Sequence, residues 1–194
     1  MRLWLTLVLI TGLLAGCQTQ RDRNATDMKS LQKTVGREQL IQTFSQITPP
    51  PMSKEIMNQS DEQIIAWIRQ VDAWTHQVLS SPLTGEMDRH AMGEMRRHLE
   101  QVYTPEMAQR MIDYFFRHDY TLGTYQANST KAMLGLRSEW REYELKKTQP
   151  APDQYKVLLT GKTQFEYSES VMQHESAYRV QGDRLIVTEF QTRS

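Results

Sequence analysis

Ile64, Trp67, Ile68, Val71, Trp74 and Val78 fall at steps of three and four, the spacing that lines one face of an α-helix. Ahead of them stands Ser60-Asp61-Glu62-Gln63, a capping box. In it the Ser60 hydroxyl accepts from the backbone N–H of Gln63, and the Gln63 side chain reaches back. This pattern predicts a helix running to about Ser81-Pro82. Met87, Ala91, Met95, Leu99 and Val102 share a second helical face, over 87–102. Thr104-Pro105 opens a third helix, with threonine as N-cap and proline at the first helical position. Its inner face is Met107, Met111, Ile112, Phe115 and Phe116, and it is expected to stop near His118-Asp119.

The period then changes. Leu134, Leu136, Tyr143 and Leu145, with Trp140 nearby, open a region of β character. Tyr155, Val157, Leu159, Phe165 and Tyr167 alternate as a long strand, with a bend or bulge expected at Gly161. Met172, His174, Ser176, Tyr178 and Val180 alternate again. Gln181-Gly182-Asp183 is a turn, and RLIVTEF forms the last strand. Helices first and an antiparallel meander after them mean an α+β class, with the helices on one face of the sheet.

Upstream, QTQRDRNATDMKS (residues 18–30) is polar and without apolar period, as a tether would be. Leu31, Val35, Leu40, Ile41 and Phe44 give a helical stripe weakened by Gly36, so a helix there either docks or stays loose. Thr48-Pro49-Pro50-Pro51 stops any helix and stiffens the chain. The expected organisation is a signal segment over 1–16, a tether over 17–52 and the α+β domain over 53–194.

The outline over about residues 53–192 resembles the NTF2-like or cystatin-like superfamily, in element order and in the closing hairpin AYRVQGDRLIVTEF. The resemblance implies N-terminal helices seated on a curved antiparallel sheet. HLEQVYTPEMAQRMIDYFF is similar to small lipoproteins and secreted proteins of spore-forming bacteria with such domains. One secreted group of similar outline inhibits cell-wall endopeptidases.

Residues 1–16, MRLWLTLVLITGLLAG, carry one charge, Arg2, before a short apolar run and two small residues. That order describes a secretory signal peptide, and the run is shorter than the roughly 20 residues a spanning helix needs. Leu14-Ala15-Gly16-Cys17 resembles the lipobox of bacterial lipoproteins. The resemblance implies a diacylglycerol on the Cys17 thiol and cleavage just before it. Two acyl chains on one residue meet the requirement for stable anchoring, each buried CH₂ contributing about 0.8 kcal/mol. Cys17 is the only cysteine, so no disulfide forms within the chain.

The chain has 23 basic and 23 acidic residues. Such balance argues against nucleic acid, which needs a concentrated basic face, and against a polybasic hold on anionic lipid. KVLLTGKTQ lacks the first glycine of a phosphate loop and has strand-like flanks, so Gly161-Lys162-Thr163 reads as sheet. His90, Glu94 and His98 share a helical stripe, but three ligands over two turns span about 12 Å, too far to meet on one ion. No metal and no cofactor is expected. His118 and Asp119 could form an acid–base pair in an NTF2-like pocket, and also suit a helix C-terminus. His174 is expected to be a half-buried sheet residue. Trp67, Trp74, Tyr114, Trp140, Tyr155, Phe165 and Tyr178 are the candidates to line a pocket, although aromatics at these periods chiefly fill cores.

These readings predict a lipid-anchored protein on the extracytoplasmic face of a bacterial membrane. It would act without catalysis, as a binding or accessory module for an envelope protein or small ligand. A cell-wall hydrolase inhibitor, a small enzyme using His118 and Asp119, and a purely structural part in an envelope or spore-coat complex are the alternatives.

Overall fold

The computed structural model describes residues 34–35, 37–81, 86–128, 136, 142–165 and 168–193; for 34, 35, 86, 142, 163–165 and 168–170 it describes the backbone alone. The chain divides into two units, Met1–Thr34 and Val35–Ser194. The expected signal segment, Cys17 and the polar tether lie outside the described residues. The described residues belong to the second unit, apart from Thr34.

The unit is α+β. Among the described residues, a two-residue strand, β1 (Thr34–Val35), precedes four helices: α1 (Arg37–Ser45), α2 (Asp61–Ser80), α3 (Arg89–Leu99) and α4 (Pro105–Phe115). A 3₁₀ turn, Lys54–Asn58, sits before α2. The remaining strands are β2 (Glu86–Met87), β3 (Phe116–Asp119), β4 (Thr124–Ala127), β5 (Glu142–Ala151), β6 (Gln154–Phe165), β7 (Ser168–Gln181) and β8 (Arg184–Arg193).

Each long helix starts where a side chain can satisfy its free amides. Ser60 and Gln63 form the complete capping box of α2. Asp88 accepts from the Ala91 amide at 2.6 Å, so α3 begins at Arg89 and leaves Met87 to a strand. Thr104 accepts from the Met107 amide at 3.3 Å, with Pro105 at the first turn of α4. That helix ends at Phe115 rather than near His118, because Phe116 is already extended (φ −126°, ψ 141°). The chain continues as β3, turns at Gly123 (φ +66°) and returns as β4, with Phe116 opposite Ala127 and Asp119 opposite Thr124. Positive φ is a conformation glycine adopts without steric cost.

The larger sheet is the expected meander, antiparallel in the order β5-β6-β7-β8. Neither sheet is strongly curled. Gly161 does not bulge β6: it is buried and stays in register, opposite Tyr143 and Met172. The register shifts lie elsewhere, one between Thr148 and Ala151 of β5 and one in β8. Ala177 pairs with Glu189 and Tyr178 with Val187, so Thr188 is an extra residue, a β-bulge.

Helices and sheet share one core. Ile64, Ile68, Val71 and Val78 of α2 are completely buried, as are Leu159, Leu185 and Val187 of the sheet. Burial of each such side chain contributes about 1.5–3 kcal/mol before entropic losses. Trp67 packs on Tyr178 (ring centroids 5.3 Å apart) and Tyr103 meets Phe190 edge-on at 5.8 Å. Helix α1 is docked. Leu40 and Phe44 are buried, Phe44 stacks flat on His98 at 4.7 Å, and Arg37 bonds Glu94 of α3.

Strand β8 is the sheet's edge, and the chain covers its first half with its own segments. Lys54 N–H donates to Asp183 (3.0 Å) and Leu185 N–H to Met52 (2.7 Å). Val187 N–H donates to Val102 (2.9 Å), and Thr104 N–H donates to Val187 (2.9 Å). The cover stops at the bulge.

Candidate functional site

Beyond the bulge, a half-open cleft of about 460 Å³ lies between α4 and the second half of β8. Its helical wall is Met107, Met111, Tyr114 and Phe115; its strand wall runs from Glu189 to Arg193; Asp72 of α2 reaches it from below. Steps of four along α4 bring Met107, Met111 and Phe115 onto one stripe. Arg110, on the same helix, donates to the Thr188 carbonyl at 3.0 Å and contacts the Met107 sulfur at 3.3 Å. The guanidinium thus satisfies the backbone oxygen of the bulged residue and pins helix to strand. On the sheet side, Arg193 of β8 lies 3.8 Å from Glu175 of β7.

Behind the strand wall the core holds a set of polar groups. Asp72 is 2% exposed. Its carboxylate accepts from the Leu136 amide at 3.0 Å and lies 4.0 Å from His76 Nε2. Thr75 donates to the Val71 carbonyl at 2.7 Å. A hydroxyl has one proton, so Tyr103, 2.6 Å away, is the donor in the second bond. Tyr178 donates to Ser176 at 2.8 Å. Burial raises the pKa of both phenols, so each stays protonated.

His174 is fully buried rather than half-buried. Its Nδ1 lies 3.0 Å from the Thr192 hydroxyl, and Phe190 meets its ring edge-on at 4.4 Å. Nε2 has no hydrogen-bond partner among the described residues. Desolvation pushes its pKa down to about 3, so the ring is neutral at every physiological pH. Whichever nitrogen carries the proton, one polar atom beside the cleft is left unpaired, at a cost of about 1–3 kcal/mol. Of these polar groups, Asp72 and Thr192 line the cleft, and the others bond behind them.

Of the seven aromatic candidates, Tyr114 lines this cleft. Trp67 and Trp74 are core residues whose indole N–H groups donate to Pro51 (2.7 Å) and Ile47 (3.4 Å), and Tyr178 is buried among them. Tyr155 packs at the core margin. Trp140, with Leu134, and the Phe165 side chain lie outside the described residues.

His118 and Asp119 sit on β3, away from the cleft. The Asp119 carboxylate accepts from the Thr121 and Leu122 amides (2.8 and 3.1 Å), which is turn chemistry. The His118 ring lies between those of Tyr120 and Tyr125. The α3 stripe is divided too. His90 is exposed, Glu94 is bonded to Arg37 and Arg97, and His98 contacts the Ile47 carbonyl and Gln101 (3.1 and 2.9 Å). KVLLTGKTQ is the interior of β6.

The sequence reading missed Asp72, Thr75, Tyr103 and the strand wall. One signal for the wall was present: buried positions of β8 run Leu185, Val187, then Phe190, so alternation slips by one residue across the bulge.

The chain matches no protein-family model and no curated protein. Among the described residues, no helix is long and apolar enough to cross a membrane.

Proposed function

We propose that this protein is a lipoprotein held at the extracytoplasmic face of a bacterial membrane, where its α+β domain serves as a non-catalytic binding module. Leu14-Ala15-Gly16-Cys17, after the charged tip and apolar run of residues 1–13, is the observation that carries this reading. A diacylglyceryl thioether on Cys17 would supply the anchor. The cleft beside α4 supports the binding role: one apolar stripe, a few polar groups and a half-open mouth are the usual make-up of a ligand site. The order of helices before meander supports kinship with NTF2-like or cystatin-like domains. Fractionation of cells expressing the full chain tests the anchor. Wild type is expected in the membrane pellet, and Cys17→Ala in the soluble fraction. A Cys17→Ala protein that still sediments with membranes, and is released by detergent alone, refutes it.

A second reading, inhibition of a cell-wall hydrolase, has one observation in its favour. The tip of the β3–β4 hairpin displays Tyr120 and Leu122 at 88% and 62% exposure, and such a tip could plug an active-site groove. Wall-endopeptidase activity measured with wild type and with Tyr120→Ala, Leu122→Ala tests it. Inhibition by the wild type alone supports the reading, and no inhibition by either removes it.

A further inference from the structure

Among the described residues, the second half of β8 is an open strand edge beside α4. In the first half, Leu185 and Val187 turn their side chains to the core and their N–H groups outward, where Met52 and Val102 accept from them. The bulge at Thr188 shifts this phase by one residue. Phe190 takes over the buried position, and Thr192, whose hydroxyl reaches inward to His174, follows two residues on. Their backbone groups therefore face the cleft. Among the described residues no backbone bond from another segment reaches Phe190 or Thr192. An unpaired edge beside an apolar groove is a template for one more strand.

We propose that this cleft takes an extended segment of a partner polypeptide, which joins the sheet as a fifth strand beside Phe190–Arg193. The edge already takes backbone bonds from other segments: residues 52–54 and 102–104 bridge to its first half, and the open half continues the same line. An added strand would turn alternate side chains onto Met107, Met111 and Phe115 of α4. Successive strand side chains point to opposite faces, so the segment carries apolar residues at every second position. Methionine is unbranched and adapts to the shape placed on it, so the wall tolerates several apolar side chains at each position. The intervening residues lie beside Glu189, Gln191 and Arg193, which are exposed, and are polar. The inference rests on the binding-module reading and specifies its partner; it does not depend on the anchor.

The test uses the full-length chain in mild detergent and a displayed library of short random peptides. Enriched sequences should show apolar residues with a period of two. The best of them, synthesised with a fluorophore, is titrated by anisotropy. N-methylation of its backbone one position at a time should weaken binding about tenfold or more at alternate residues, where the methyl replaces a bond to the edge, and leave the others near wild type. Met111→Lys should weaken binding comparably, with its fold checked by circular dichroism. The N-methyl series on wild-type protein decides the matter if that variant does not fold. Failure to enrich any peptide, or indifference to N-methylation at every position, overturns the proposal. So does a sedimentation result in which two copies pair and exclude the peptide. A chain released by Cys17→Ala that binds no such peptide fails this inference alone. A chain that binds the peptide yet stays on membranes without Cys17 fails the anchor alone.

Discussion

Replacing His174 by leucine should change how stability responds to acid. In the folded protein the ring is buried and its pKa is about 3; in the unfolded chain it returns to about 6.5. The unfolded state therefore takes up a proton that the folded state refuses. Stability contributed by this site is complete above about pH 6.5 and is lost as pH falls toward 3. Between pH 7 and pH 4 the loss amounts to about 3 kcal/mol, because each unit below 6.5 favours the unfolded state by about 1.4 kcal/mol. Leucine fills nearly the same volume, has no proton to gain, and removes the unpaired Nε2, so at pH 7 the variant should be as stable as wild type or about 1 kcal/mol more so. Urea unfolding followed by the fluorescence of the buried Trp67 and Trp74 gives both curves at pH 7, 6, 5 and 4. Other acid-sensitive groups, such as His98, Glu94 and Asp183, are common to both proteins and cancel in the difference. The difference should widen by about 3 kcal/mol from pH 7 to pH 4 in favour of the variant. Parallel curves over that range would mean that His174 is solvated or paired with an acceptor, and the argument from its burial would be refuted.

Two further substitutions probe the elements that place the cleft. Ser60→Ala removes one half of the α2 capping box and should lower unfolding free energy by about 1 kcal/mol, measured in urea, with Ser60→Asp recovering most of it. Tyr103→Phe deletes the donor to Thr75 while leaving the Thr75–Val71 bond intact, and should cost about 0.5–1.5 kcal/mol at unchanged m-value. A larger loss would mean that the hydroxyl supports Asp72 as well.

The parts of the fold that could be read from sequence are those where one residue carries one signal. Ser60, Thr104 and Pro105 mark helix starts because their side chains act on amides one turn away, and the meander strands alternate over enough residues to outweigh accident. Helix α1 was harder. Only Leu40 and Phe44 of its residues are buried, and a contact that narrow leaves little periodicity. The β3–β4 hairpin was invisible because each strand has four residues and Phe115-Phe116 continues the helical stripe of α4 in composition. What ends that helix is a change of backbone at Phe116 that no single residue type signals. The cleft was illegible for a different reason. Its aromatic candidates were chosen by residue type, yet tryptophan and tyrosine at helical and strand spacing go to the core, as Trp67, Trp74 and Tyr178 do. The walls are instead set by a one-residue insertion in β8 and by a carboxylate, Asp72, inside a mostly apolar stripe. Neither stands out until the partners facing them are known.

The attachment of Met52–Lys54 and Val102–Thr104 to the start of β8 also has a consequence in time. Lys54 meets Asp183, residues far apart along the chain, and α4 rests on the strand that follows. Contacts of such separation form slowly, because the entropy of closing the loop is lost before the contact is gained. A chain emerging from the ribosome can pack its helices on one another early, as Phe44 packs on His98, but these bridges wait until residues 183–187 have been made. Until then the sheet-facing positions of the helices, Ile64 and Ile68 among them, lack the strand that completes their burial.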